Sequence, residues 1–252
     1  MTTSTTRDKV VSLVESWLEP GRFQDYCPNG LQVEGRESVA HVVTGVTASQ
    51  AFIDAAIEAG ADLLLVHHGY FWKGEDQRIR GMKKRRLQTL LRQDVSLLAY
   101  HLPLDDHPEL GNNRQLANVL DLRDAAPLQA GGLVWIGDLA SPMTATELSG
   151  LLEERLRRTP LHVGHGADPI RRVAWCTGAA QGFINQALEA GADAFISGEI
   201  SEPTVHTARE DGIHYFSAGH HATERYGVQA VGERLARELG IRHTFIDIDN
   251  PV

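Results

Sequence analysis

The sequence predicts an α/β protein of two pseudo-repeated lobes with largely parallel sheets, on three observations. Leu63-Leu64-Leu65-Val66, bounded by Asp62 and by His67-His68, is a branched apolar run of the kind found in strands buried on both faces. Segments of strand and helix character alternate around it, the signature of a parallel sheet. The plan then occurs twice. Glu189-Ala190-Gly191-Ala192-Asp193 is identical to Glu58-Ala59-Gly60-Ala61-Asp62, and Thr177-Gly178 leading to Phe183-Ile184 echoes Thr44-Gly45 leading to Phe52-Ile53. Such an internal repeat points to duplicated units. A first lobe over 1–123 and a second over 124–252 are expected, with the final strand a candidate to return to the first.

The elements follow in order. Val10, Val11, Leu13, Val14, Trp17 and Leu18 have helical spacing over residues 7–18, with Thr5 or Thr6 as cap and Pro20-Gly21 as terminator. Residues 25–33 read as a turn into a short strand, 39–46 as a strand, and 48–59 as a helix stopped by Gly60. After the His67-His68 strand comes a basic helix, then a strand at Val95–Tyr100 that ends in His101-Leu102-Pro103-Leu104-Asp105. Pro103 argues for an irregular loop there rather than a regular helix. In the second half a short strand at 133–138, a helix at 144–158, a helix at 202–210 and a strand at His214–Ala218 are expected. A helix begins directly after that strand, and Arg242–Ile248 alternates as a half-buried strand.

Bulk properties exclude several classes. The 252 residues, 42% hydrophobic and 23% charged, are those of an ordinary globular chain. No run approaches the roughly 20 apolar residues that cross a bilayer, so no membrane partner is expected. Residues 1–6 lack a signal peptide's apolar core, and Cys27 and Cys176 form no disulfide framework, so a reducing cytoplasm is the expected setting. A net charge of −9 argues against wholesale nucleic-acid binding. Arg78, Arg80, Lys83, Lys84, Arg85 and Arg86 are the local exception. They read either as the solvated side of a helix whose apolar side is Met82, Leu87, Leu90 and Leu91, or as a phosphate patch.

Three strand ends present ligand-type residues: His67 and His68, then His101 with Asp105, then His220 with Glu224. The last two pairs share the spacing His-x-x-x-acid, which places both side chains on one face of a helical turn. An isolated pair of this kind is most simply a capped strand end and a solvated imidazole. Convergence at successive strand ends, in a cleft between the lobes, changes that reading. Several imidazoles and two carboxylates exceed one four-coordinate site and suit two cations sharing a water. Glu224, after a histidine and at the start of a helix, is the best bridging carboxylate.

The strings Val66–Gly74, His101–Asp105 with Gly111-Asn112-Asn113, Ser197-Gly198-Glu199 and Gly219–Glu224 closely resemble the GTP cyclohydrolase 1 type 2 homologue family, also called NIF-three-like, in its short bacterial form. The resemblance covers essentially the whole chain. It implies a dinuclear site with His67, His68, Asp105, His220 and Glu224 as ligands and Glu224 shared. It also implies a homohexameric ring, built as a trimer of dimers, and a hydrolase that opens the ring of a nucleotide. Zinc, iron, manganese and nickel all suit the donors. His101 is open as a further ligand, a general base or a partner of a carboxylate, and Glu199 as an acid or base or as a helix-terminal carboxylate. His221 is expected to turn away, and Tyr70, Phe71 and Trp72 form either a stacking wall or an ordinary aromatic cluster. A reading from another class also stands: a metal-stabilised ring that binds a protein or nucleic-acid partner without turnover.

Overall fold

A computed structural model describes residues 3–166 and 168–252. The chain forms two compact units, one running up to Leu110 and resuming over Gly227–Asp249, the other comprising Gly111–Tyr226 and Asn250–Val252. The division thus falls thirteen residues before the expected boundary at 123, and most of the long helix Arg225–Leu239 goes to the first unit. The reason is packing. Val228, Val231 and Leu235, one helical stripe, join Val10, Val14 and Leu18 of helix Arg7–Leu18 against Val42, Leu63, Leu65 and Leu98.

The first unit holds a five-stranded sheet in the order Arg242–Phe245, His41–Thr47, Leu63–His68, Ser96–Ala99, Gly30–Val33. The first four strands are parallel and Gly30–Val33 runs antiparallel at the edge. Successive residues of a strand face opposite sides, so Leu64 and Val66 point away from Leu63 and Leu65. They pack instead on Phe52, Ile53 and Ala56 of helix Gln50–Glu58 and on Leu87 and Leu90 of helix Gly81–Gln93. Helix ends follow their cap residues: Thr6 Oγ1 accepts from the Lys9 amide at 3.3 Å, and Ser49 Oγ accepts from the Phe52 amide at 3.2 Å. In the basic helix only Leu87 and Leu90 of the expected apolar side are buried, whereas Met82 and Leu91 are exposed. Lys83 takes the inward place, because positions 83, 87 and 90 share one face.

The second unit holds a six-stranded sheet in the order Arg123–Pro127, Trp135–Met143, Ile170–Cys176, Ala194–Ser197, His214–Ser217, Leu161–Val163. Only the central three strands are parallel; the outer pairings are antiparallel, so this sheet is mixed rather than largely parallel. Helical crossovers connect the three parallel strands, whereas segment 123–163 adds strands that reverse direction. One face is covered by Leu148, Leu152 and Leu156 of helix Ala145–Leu156, whose Thr144 and Glu147 form a reciprocal capping box. Among the described residues no helix is long and apolar enough to cross a membrane.

The repeated pentapeptide has a structural cause in both units. Gly60 and Gly191 adopt φ of 76° and 69°, the left-handed stop of a helix. Asp62 Oδ2 then accepts the Ala40 and His41 amides at 2.8 and 3.0 Å, and Asp193 Oδ2 accepts the Arg171 and Arg172 amides at 2.8 and 2.9 Å. One carboxylate thereby ties each new strand to the start of its neighbour.

Candidate metal centre

In the first unit three imidazoles meet where two strands end, His67 and His68 as the last residues of Leu63–His68 and His101 just after Ser96–Ala99. His67 is fully buried, and its Nδ1 lies 2.9 Å from the Tyr100 carbonyl. A carbonyl only accepts, so Nδ1 carries the proton and Nε2 presents its lone pair. That Nε2 lies 3.5 Å from Asp105 Oδ1. His68 Nδ1 rests 3.2 Å from Thr47 Oγ1 on the neighbouring strand. His101 completes the group: its ring centroid is 5.1 Å from that of His67 and 5.8 Å from that of His68. Each of the three rings offers a nitrogen within 4.8 Å of the others.

Asp105 is buried on a short helix, Leu102–Asp106, where an irregular loop was expected. Pro103 is its second residue, and first-turn amides have no helical acceptor to lose. Sequence reasoning missed Asp25, which it placed in a turn without a role. The Asp25 carboxylate receives His101 Nδ1 at 2.7 Å, the Leu102 amide at 2.9 Å and Asn29 Nδ2 at 2.9 Å, while Asn29 Oδ1 accepts the His101 amide at 2.7 Å. Burial pushes this carboxyl up, but bonds from His101, Asn29 and the Tyr26 amide outweigh it and hold the group at about 2. The only sequence signal was Asp25 four residues before Asn29, a spacing shared by many turns. Cys27, beside them, has its thiol pushed up to about 12 by burial and then by Asp25, so at neutral pH it stays a protonated, small apolar residue.

In the second unit His220 opens the turn His220–Thr223 directly after Gly219, and Glu224 follows, next to helix Arg225–Leu239. The expected four-residue pairing is realised, with His220 Nε2 3.2 Å from Glu224 Oε2. His220 Nδ1 lies 2.7 Å from Glu199 Oε1, which ties the Ser197-Gly198-Glu199 strand end to the same imidazole. Burial pulls the His220 pKa down, but Glu224 and Glu199 outweigh it and raise it to about 9. Two carboxylates thus gather positive charge on one imidazole, an environment in which a cation can replace the proton. Close approach requires glycine. A Cβ on Gly178, at φ 69°, would run into Glu224 Oε1 and stand 3.2 Å from His220 Nε2, and one on Gly198 would meet the His220 Cα at 2.6 Å. His221 is buried and belongs to none of the candidate ion-holding groups among the described residues.

The five expected ligands therefore fall into two groups, His67, His68 and Asp105 in the first unit and His220 and Glu224 in the second. Imidazole nitrogens with oriented second nitrogens, next to buried carboxylates, fit a divalent transition metal.

A two-unit, mixed-sheet α/β chain with buried imidazole and carboxylate clusters at its strand ends defines the class. The chain belongs to the Duf34/NIF3 (NGG1p interacting factor 3) family, whose sequence profile matches residues 5–251. A Pseudomonas aeruginosa protein named GTP cyclohydrolase 1 type 2 homolog is 58% identical over 245 residues, 96% of this chain and 97% of its own. The protein of the same name from Escherichia coli K12 is 53% identical over 240 residues, 95% and 96% of the two chains. Among solved structures, protein ybgI, described as of unknown function, superposes with a TM-score of 0.95 at 51% identity, covering 98% of this chain and 100% of that one. TTHA1606 from Thermus thermophilus gives 0.91 at 34% identity, with 98% and 100% coverage.

Proposed function

We propose that this chain is a dinuclear metal-dependent hydrolase. The observation that carries the reading is the convergence of His67, His68 and His101 within 4.8 Å, with Asp105 against His67. In this reading His67, His68 and Asp105 from the first unit and His220 and Glu224 from the second hold two divalent cations, zinc, iron, manganese or nickel, with Glu224 shared. Each group alone is short of two ligand shells, which is why the two are assigned to one centre. Two such cations, when bound, lower the pKa of water and stabilise negative charge at the attacked atom.

The protein side chains then divide the remaining work. Asp25 keeps the His101 Nδ1 proton in place, so His101 offers Nε2 to take a proton and return it to a leaving group. Glu199 is engaged on His220 Nδ1, and its role in this scheme is to orient that ligand rather than to exchange protons with substrate. The family resemblance makes attack on C8 of a purine nucleotide the first reaction to assay, and a hexameric ring the first assembly to look for by light scattering.

Elemental analysis of protein purified without chelators or a nickel column should find about two cations per chain. His67→Ala and Glu224→Ala should each lower that number. The loaded protein is then offered a nucleotide panel and assayed for phosphate, formate and pterin fluorescence. Metal-loaded protein that leaves the whole panel unchanged would sink the hydrolase reading.

A further inference from the structure

We infer that Arg158 and the segment Asn250–Val252 form a brace against Gly219 that fixes where His220 stands, and with it how tightly a divalent cation is held at His220 and Glu224. Arg158 and Asn250 are positioning residues in this account, which rests on the metal reading above.

The turn that carries His220 creates the need. His220–Thr223 is a single turn, opened by Gly219 at φ 101°. Its far end is tied within the second unit. The Thr223 amide and hydroxyl both donate to the Gly219 carbonyl, at 3.0 and 2.9 Å, and Thr223 Oγ1 accepts the Gly178 amide at 3.1 Å. Its near end is not self-sufficient, because first-turn amides have no helical acceptor. The His221 amide finds one outside the turn, the Val252 carbonyl at 3.0 Å.

Two parts of the chain meet there. Arg158 lies directly against Gly219, since a Cβ on that glycine would come within 2.5 Å of Arg158 Cδ and 2.6 Å of Nε. The Arg158 guanidinium donates to the Pro251 carbonyl. Its Nε is buried and makes no hydrogen bond among the described residues. A buried donor left unanswered on a cationic side chain calls for a reason, and holding Gly219 in place supplies one. The segment 250–252 is stiff in its own right. Asn250 Oδ1 accepts the Val252 amide at 3.0 Å, an Asx turn, and the Pro251 ring fixes the φ between them. Consecutive carbonyls are thereby presented, one to Arg158 and one to His221. These three residues pack with the second unit, although Gly227–Asp249 belong to the first.

His220 itself is confined between this brace and Gly198, whose missing Cβ would stand 2.6 Å from the His220 Cα. Its ring is held toward Glu199 and Glu224, at 2.7 and 3.2 Å. A cation is bound only as well as its ligand atoms are placed, and loss of an outlying support commonly weakens binding about 10–100-fold.

The test is cobalt(II) titration of the full chain, with visible absorption as the signature of ligand geometry and hydrogen exchange at the His221 amide as the measure of the brace. Arg158→Met keeps the side-chain stem and removes the donor, and Asn250→Ala breaks the Asx turn at an exposed residue. Each should weaken cobalt binding about tenfold, change its spectrum and speed His221 exchange. The double variant should bind within about twofold of Arg158→Met, because both changes break one device. Arg158→Lys restores a single donor and should bind within about threefold of wild type, which a general loss of stability would not explain. Variants that bind cobalt like wild type, or that leave His221 exchange unchanged, would overturn the inference and leave the metal reading standing. Wild-type protein that takes up no cobalt would overturn both.

Discussion

The two copies of the repeat use the same backbone device and carry different chemistry at its end. Glu58–Asp62 and Glu189–Asp193 stop a helix with a left-handed glycine and fasten the next strand with an aspartate that accepts two neighbouring amides. From there they diverge. The first strand ends in His67 and His68, whereas Gly198 and Glu199 stand at those places in the second. Thr44-Gly45 and Thr177-Gly178 echo each other in sequence but not in register: Gly45 lies opposite Val66 inside its strand and makes room for the Phe52 ring, whereas Gly178 follows the strand Ile170–Cys176 and makes room for the Glu224 carboxylate. One glycine serves a core and the other a candidate ligand. A supporting turn that fixes where a strand ends leaves the tip residue free to change, and the chemistry has been varied there.

The aspartates test how alike the two devices are. Removing either leaves two backbone amides without their charged acceptor, but the surroundings differ: His41 is buried, whereas Arg171 and Arg172 are exposed and water can replace the carboxylate. Asp62→Ala should cost about 3 kcal/mol and Asp193→Ala about 1 kcal/mol. Urea midpoints give the totals, and hydrogen exchange at Ala40, His41, Arg171 and Arg172 locates the loss. Equal costs would mean that the two turns are equally dry, contrary to the packing.

The two glycines separate a core contact from a contact with a candidate ligand. Gly45→Ala pushes against the Phe52 ring and should destabilise by about 1–3 kcal/mol while metal content stays unchanged. Gly178→Ala strains a residue at φ 69° and displaces Glu224, so it should lower metal content as well as stability, by about 1–3 kcal/mol. Full metal loading of the Gly178 variant would show that Glu224 is not where the cation binds.

Much of this was legible in the sequence because it rests on local rules. Helix Arg7–Leu18 and its Thr6 cap, the stop at Gly60 and the apolar strand before His67 each follow from spacing and a single terminating residue. The His220–Glu224 pair was legible too, since four residues make one helical turn. What escaped depends on partners distant in the chain. Asp25 finds His101 across 76 positions, which no window of sequence can display. The antiparallel outer strands of the second sheet were hidden because strand character carries no direction. Helix Leu102–Asp106 was missed because Pro103 was weighed as an interior residue, when it stands in the first turn.

The last comparison is a pH response at the edge strand of the first sheet, carried by the half-buried His243. His243 lies on the edge strand Arg242–Phe245, with Nε2 2.8 Å from Thr44 Oγ1 and the backbone of Gly232 against its ring. Burial, with a smaller push from His41, holds its pKa down at about 4 against an ordinary 6.5. Between those values the unfolded chain binds a proton that the folded chain refuses, so stability falls as pH drops from 6.5 through 4 and levels off below. Amides of His41–Thr47 and Arg242–Phe245 should therefore lose protection across this window. His243→Gln removes the more strongly shifted group and should reduce the response in those strands, leaving the part due to His41, which burial also shifts down. An acid response in the first unit that is identical in wild type and variant would assign it to another group.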